Sequence, residues 1–214
     1  MASDHNTPRP YDATRRQAAA AERRQAIVVA ARASFEQHGW AGTQIREIAS
    51  AAGVSHKLVE ASFGTKAALL QAAVDYAIRG DLEPTPMPQR ERIRRMEEAE
   101  DAATMLRLHA HHLRLVNSRS ARIAAVVEGA APADPVVRSL WQEMNRNRKH
   151  AVTWATTTYR QKPGRRCGLR PKQIATTFWV ALDWGTYRTL TDHAGLDDNA
   201  YETWIHNYYR ALLL

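Results

Sequence analysis

The sequence predicts an all-α protein of about nine helices, and three observations lead there. Apolar residues recur three and four positions apart over most of the chain, no stretch alternates in the manner of a half-buried strand, and caps, glycines and prolines punctuate the apolar stripes. The expected architecture is a small amino-terminal domain of three helices around a helix-turn-helix, followed by a larger helical domain.

Bulk properties set the frame. At 214 residues the chain accommodates one large domain or a small one plus a medium one, with enough length to bury a substantial core. A hydrophobic content of 44%, six Trp and 24% charged residues fit a soluble globular protein. No apolar run approaches the roughly 18 residues of a membrane span, so no membrane partner is expected. The opening MASDHNTPRPYDATRRQ has none of the zones of an export leader, which makes the cytoplasm the expected compartment. The single cysteine, Cys167, forms no internal disulfide, suits a reducing compartment, and reads as an incidental thiol in the loop RRCG. An excess of 30 Lys and Arg over 22 Asp and Glu, net +8 with a pI near 10.0, points toward polyanions as partners.

Residues 1–14 hold two prolines and few large apolar groups, and are expected to form a mobile basic arm, either with Arg9, Arg15 and Arg16 available to DNA or as a plain solvated tail. From about Thr14 the spacing of Ile27, Ala31, Ser34, Phe35 and His38 predicts the first helix, closed by Gly39. Ile45, Ile48, Ala49 and Ala52 form the inner face of a short second helix started by Thr43. Val54, Val59 and Phe63 do so for a third started by Ser55, with Gly53 as the turn between the two. Thr65 caps a fourth helix through Leu69, Ala72, Ala73 and Tyr76 toward Gly80.

The prolines of GDLEPTPMPQ then stop any helix and mark a boundary. Beyond it Ala99, Ala103, Leu106, Ala110, Leu113 and Val116 form one stripe, and Ile123, Val126 and Val127 a shorter one. Asp134 and Pro135 open a helix containing Val137, Leu140, Trp141, Met144, Ala151, Val152, Ala155 and Tyr159. After the basic loop QKPGRRCGLR, Pro171 starts an apolar helix expected to run through Ile174, Phe178, Ala181, Leu182 and Gly185. The last helix carries Tyr201, Trp204, Ile205, Tyr208, Tyr209, Leu212 and Leu213 at helical spacing. The expected division is an arm over 1–14, a helix-turn-helix domain over 15–64, a connecting helix over 65–80 and a larger domain over 81–214.

A helix-turn-helix needs a small residue and a glycine at its corner, a cap on the second helix and a polar outer face on that helix to meet base edges. Ala52, Gly53 and Ser55 meet the first two needs, and Ser55, His56, Lys57, Leu58, Ala61 and Ser62 form the outer face. From Thr43 to Leu70 the chain resembles the tetracycline-repressor (TetR) family of bacterial regulators. The resemblance rests on Thr43, Ile48, Ala49, Ala52, Gly53, Val54, Ser55, Val59, Phe63, Lys66 and Leu69, with Glu60 where the family carries Tyr.

The resemblance implies a homodimer that binds a double-stranded operator and responds to a small molecule held by the larger domain. By position it implies phosphate contacts from Thr43, Ser62 and Lys66, and base-facing roles for Gln44, His56, Lys57 and Leu58. The chemistry agrees: Lys57 donates to guanine acceptors, Gln44 pairs with adenine, and Leu58 meets a thymine methyl. Glu60 loses the hydrogen bond of the family's Tyr to phosphate and adds repulsion. It is read as a change of specificity, a carboxylate that accepts from cytosine or pairs with Lys57 or a nearby arginine.

For the larger domain, a cavity for a small apolar or amphipathic effector is expected among Met105, His109, His112, Trp141, Met144, Trp154, Phe178 and Trp179, residues that also read as plain core. A dimer interface is expected from Trp204, Ile205, Tyr208, Tyr209 and Leu212, facing Phe178, Leu182 and Gly185. No nucleophile elbow, phosphate-cradling glycine loop or ligand cluster for a metal occurs, so no enzyme activity and no cofactor are expected.

Overall fold

The computed structural model describes residues 10–214, with side chains from residue 14 onward. Among these residues it contains ten α-helices and no strand. The chain forms two compact units, the first ending at Ala73 and the second beginning at Val74.

In the first unit α1 (Pro10–Gly42) is longer than expected. Of the expected arm, the described residues from Pro10 onward are helical, and Arg15 and Arg16 lie exposed on that helix. Arg9 lies outside the described residues. Ile27, Val28, Ala31 and Phe35 are buried, whereas His38 is turned to solvent. At Gly39 the backbone takes φ 67, a left-handed value that glycine adopts without strain, and the bend brings Trp40 back onto Phe35 with ring centroids 6.1 Å apart. Two short helices follow, α2 (Ile45–Ala51) and α3 (His56–Phe63), whose Ile48, Ala49 and Val59 are buried. Thr65 accepts from the Ala68 amide at 3.1 Å and so caps α4 (Lys66–Arg79) as its type predicts.

In the second unit the proline-rich segment is folded around one side chain. Arg90, 9% exposed, grips Asp81 through both nitrogens at 2.6 and 2.8 Å and reaches the carbonyls of Glu83 and Thr85. The guanidinium holds the Asp81 carboxyl well down, to about 2. Helices α5 (Glu91–Glu97), α6 (Ala102–Ala130) and α7 (Pro135–Arg160) come next. Apart from Ala99, which precedes it, the two stripes expected between Ala99 and Val127 belong to the single helix α6, which Asp101 caps through the Thr104 amide at 2.7 Å.

The long apolar helix expected from Pro171 to Gly185 is corrected to two: α8 (Pro171–Ala181) and α9 (Trp184–Arg188). Asp183 makes the break, capping α9 through the Thr186 amide at 2.8 Å while pairing with Arg148 at 2.9 Å. A short π-helical turn, Thr189–His193, leads to α10 (Asp198–Leu213). Met105, Leu106, Leu113, Val152, Tyr159, Phe178, Tyr201, Ile205 and Tyr209 belong to one buried cluster drawn from α6, α7, α8 and α10.

Candidate nucleic-acid interface

The corner between α2 and α3 is built by local chemistry. Gly53 has φ 65, and a β-carbon there would meet nothing within 4 Å, so the backbone conformation and not crowding calls for glycine. Ser55 sits in extended conformation and accepts from the Leu58 amide at 3.2 Å, which starts α3. Gly64, φ 72, ends that helix with its amide on the Glu60 carbonyl at 2.8 Å. With Val59 buried, Lys57, Glu60 and Ala61 are exposed on α3, and His56, Leu58 and Ser62 are half-buried. Gln44 stands exposed at the start of α2, and its side chain makes no capping bond there.

Two of the expected roles change. Thr43 is 3% exposed, and its hydroxyl lies 2.8 Å from the Gly39 carbonyl and 3.1 Å from that of Ser34. It ties the start of α2 to the end of α1, so its side chain is not presented to a phosphate, and α2 begins two residues after it with Gln44 as cap position. Among the described residues Glu60 pairs with neither Lys57 nor an arginine: its carboxylate lies 3.4 Å from His56 Nδ1, one turn back on the same helix. Lys66 places its ammonium 4.7 Å from the Trp40 ring centroid.

One positioning residue escapes sequence reasoning. Arg24, on α1, donates to the Ser62 carbonyl at 3.0 Å and lies 4.3 Å from the Phe63 ring centroid, so it holds the carboxyl end of α3. Thirty-eight residues separate Arg24 from Ser62, and no local pattern marks the pair.

The residues expected around an effector do not converge on one cavity. Met105, His109 and Phe178 are core, with Trp154 half-buried at the edge. The His109 ring packs 5.3 Å from Phe178, 5.7 Å from Tyr209 and 6.3 Å from Trp154, and its Nδ1 is 2.8 Å from the Tyr209 hydroxyl. Burial pushes both His109 and His112 down to about 3. The His112 Nδ1 is out of solvent and has no hydrogen-bond partner. Trp141 and Trp179 instead line an outer groove with Asn145 and Arg146, and Met144 is buried.

The expected dimer face also divides. Phe178, Ile205 and Tyr209 are 0% exposed within the chain and are corrected to its own core. Leu182, Trp204 and Tyr208 stay half-buried, the two rings stacked 5.4 Å apart, and Leu212 is exposed. A β-carbon on Gly185 would lie 2.8 Å from the Asp183 carboxylate, so this glycine makes room for the α9 cap.

Residues 27–73, which span the second half of α1, all of α2 and α3 and the first part of α4, match the family described as bacterial regulatory proteins, tetR family. Among curated proteins none matches the sequence. The fold is shared with solved structures of low identity. A protein described as a TetR-family transcriptional regulator from Rhodococcus sp. is 17% identical, with a TM-score of 0.63 over 89% of this chain and 98% of that one. One from Mesorhizobium loti is 16% identical, with 0.63 over 90% and 96%. A transcriptional regulator from Saccharomonospora viridis in complex with choline is 16% identical, with 0.64 over 89% and 96%. The helix-turn-helix lies inside the segment that matches the tetR-family model, and the whole chain shares its fold with these solved regulators.

Proposed function

We propose that the protein is a ligand-responsive repressor that binds a pseudo-palindromic operator as a homodimer and is released from it by a small molecule. The observation that carries this reading is the outer face of α3: a serine-capped helix behind a left-handed glycine turns Lys57, Glu60 and Ala61 to solvent while Val59 anchors its back. Gln44, His56, Lys57 and Leu58 face bases, while Ser62, Lys66 and the amides following Ser55 meet phosphates. Residues 15–64 form the reading domain, 65–80 connect it, and 81–214 sense the effector and dimerise.

Dimerisation is supported by the apolar surface the chain leaves uncovered: Trp179 and Leu212 are exposed at 38% and 41%, beside helices that also carry half-buried Leu182, Trp204 and Tyr208. The choline held by the Saccharomonospora viridis regulator supports a small organic effector in this fold. Selection of fragments from the source genome by the purified protein tests the reading. It should return one inverted repeat with half-sites about one helical turn apart. Recovery of unrelated fragments with no shared motif contradicts it and favours a partner-binding protein that keeps the fold without an operator.

A further inference from the structure

The basic loop over residues 161–170 lies outside the helix-turn-helix segment and is fastened at several points. Lys162, 9% exposed, gives its ammonium to the carbonyls of Glu97 and Ala99, the latter at 2.7 Å, and the Pro163 carbonyl accepts from the Ala102 amide at 2.9 Å. The fully buried Tyr159 donates its hydroxyl to the Leu213 carbonyl at 2.5 Å and accepts the Arg166 amide at 3.1 Å. Gly164 and Gly168, φ 72 and 80, supply the left-handed corners of the loop. Arg165 donates to the Lys162 carbonyl at 3.1 Å and Arg166 to that of Ala211 at 3.2 Å. Each guanidinium is thereby held by one bond and keeps most of its five donors for another partner.

These arginines and Arg160 rim a depression of about 470 Å³. That is within the size range of small-molecule clefts, and the side chains of Leu169 and Ile174 give it an apolar part. No carboxylate lines it, and among the described residues none of the three arginines has a carboxylate within 4.0 Å. Three guanidiniums around one hollow repel one another unless an anion enters, and oxygen forks fit them in pairs.

We propose that this depression binds a small organic oxyanion, a phosphate or carboxylate carried on an apolar body. The headgroup sits among Arg160, Arg165 and Arg166, and the body lies on Leu169 and Ile174. The concave form distinguishes the site from a surface for the DNA backbone, which asks for charges spread along a stripe. The site stands or falls independently of operator binding.

Cys167 lines the same depression and is the sole cysteine of the sequence, so it reports occupancy. Alkylation of the full-length protein by uncharged iodoacetamide, followed by intact mass at constant ionic strength, is the measurement. Phenyl phosphate and benzoate are the two headgroup probes, with phenol and inorganic phosphate as partial mimics. Either aromatic anion, or both, should slow alkylation saturably and several-fold, and which of them does so identifies the headgroup. Phenol should have no effect, and inorganic phosphate a weaker one.

Arg160→Gln leaves the loop's own hydrogen bonds intact and should weaken half-saturation about tenfold or more, the loss of a charge-assisted pair. Arg146→Gln, elsewhere on α7, should leave it unchanged. Protection that grows linearly without saturating, that phenol reproduces, or that survives Arg160→Gln overturns the proposal. So does protection by random duplex DNA with none from the two small anions, which would make the loop a nucleic-acid contact.

Discussion

Around Gly53 two helices of 7 and 8 residues each turn one narrow apolar face inward, whereas α10, at 16 residues, carries large apolar groups on two sides. In the short helices an inward residue such as Ile48 or Val59 has only one place to go, and the opposite face is left for a partner. In α10 the chain divides its rings: Tyr201, Ile205 and Tyr209 enter the core while Trp204, Tyr208 and Leu212 remain outside or half-outside. Helix α8 divides its own in the same way, with Phe178 at 0% exposure and its neighbour Trp179 at 38%. A face set by one turn of helix defines a reading surface, whereas a wide apolar stripe defines both a core and a candidate contact between chains.

The largest effect is expected where that division is sharpest. Phe178→Ala should cost about 3 to 5 kcal/mol in chemical denaturation, because the ring is fully enclosed by His109, Tyr159 and Tyr209. Trp179→Ala should cost the separated chain clearly less and, if the proposed dimer forms, raise the concentration at which sedimentation shows it to dissociate. Equal destabilisation by the two would erase the distinction between core and contact surface.

The second effect concerns acid. His109 titrates near 6.5 when unfolded and about 3 when folded, so the unfolded chain binds more protons between those values. Stability contributed by the neutral imidazole is fully present above pH 6.5 and falls as the pH drops toward 3. Between pH 6.5 and pH 5 the loss from this residue should be about 2 kcal/mol. His109→Gln should flatten that part of the pH–stability curve; an unchanged slope would show that the imidazole is not held neutral by burial.

The smallest stability effect belongs to the reading corner. Ser55→Ala removes the cap of α3 and should cost about 1 kcal/mol in thermal unfolding, with a matching loss of DNA affinity. Ser55→Asn should restore both, and failure of the restoration would mean that the hydroxyl acts other than as a cap.

Much of this was legible before the structure, for a physical reason. Ser55, Thr65, Gly39 and Gly53 act within four residues of themselves, through capping bonds or a left-handed φ, and a linear sequence displays such relations. Thr43 shows the boundary of that legibility. A threonine before a helix reads as a cap, but its hydroxyl goes back to Gly39 and Ser34 across a bend that spacing does not reveal. The break at Asp183 had a local sign in its cap on the Thr186 amide, which the continuous apolar spacing around it masked, while its ion pair with Arg148 joins it to another helix. Which apolar residues of α8 and α10 face inward depends on α6 and α7, and periodicity assigns a stripe without assigning its neighbour.

The central claim is that the outer face of α3 reads DNA, and the most direct measurement compares the affinity of the wild type and Lys57→Ala for the selected operator and for a scrambled duplex across a salt series. The account predicts that the wild type prefers the operator by about a thousandfold or more. Lys57→Ala should lose about 1 to 3 kcal/mol of that preference if Lys57 reads a base. It should instead lower the salt slope by about one on both duplexes if Lys57 meets a phosphate. Equal affinity of the wild type for the two duplexes, with Lys57→Ala altering neither, would contradict the account.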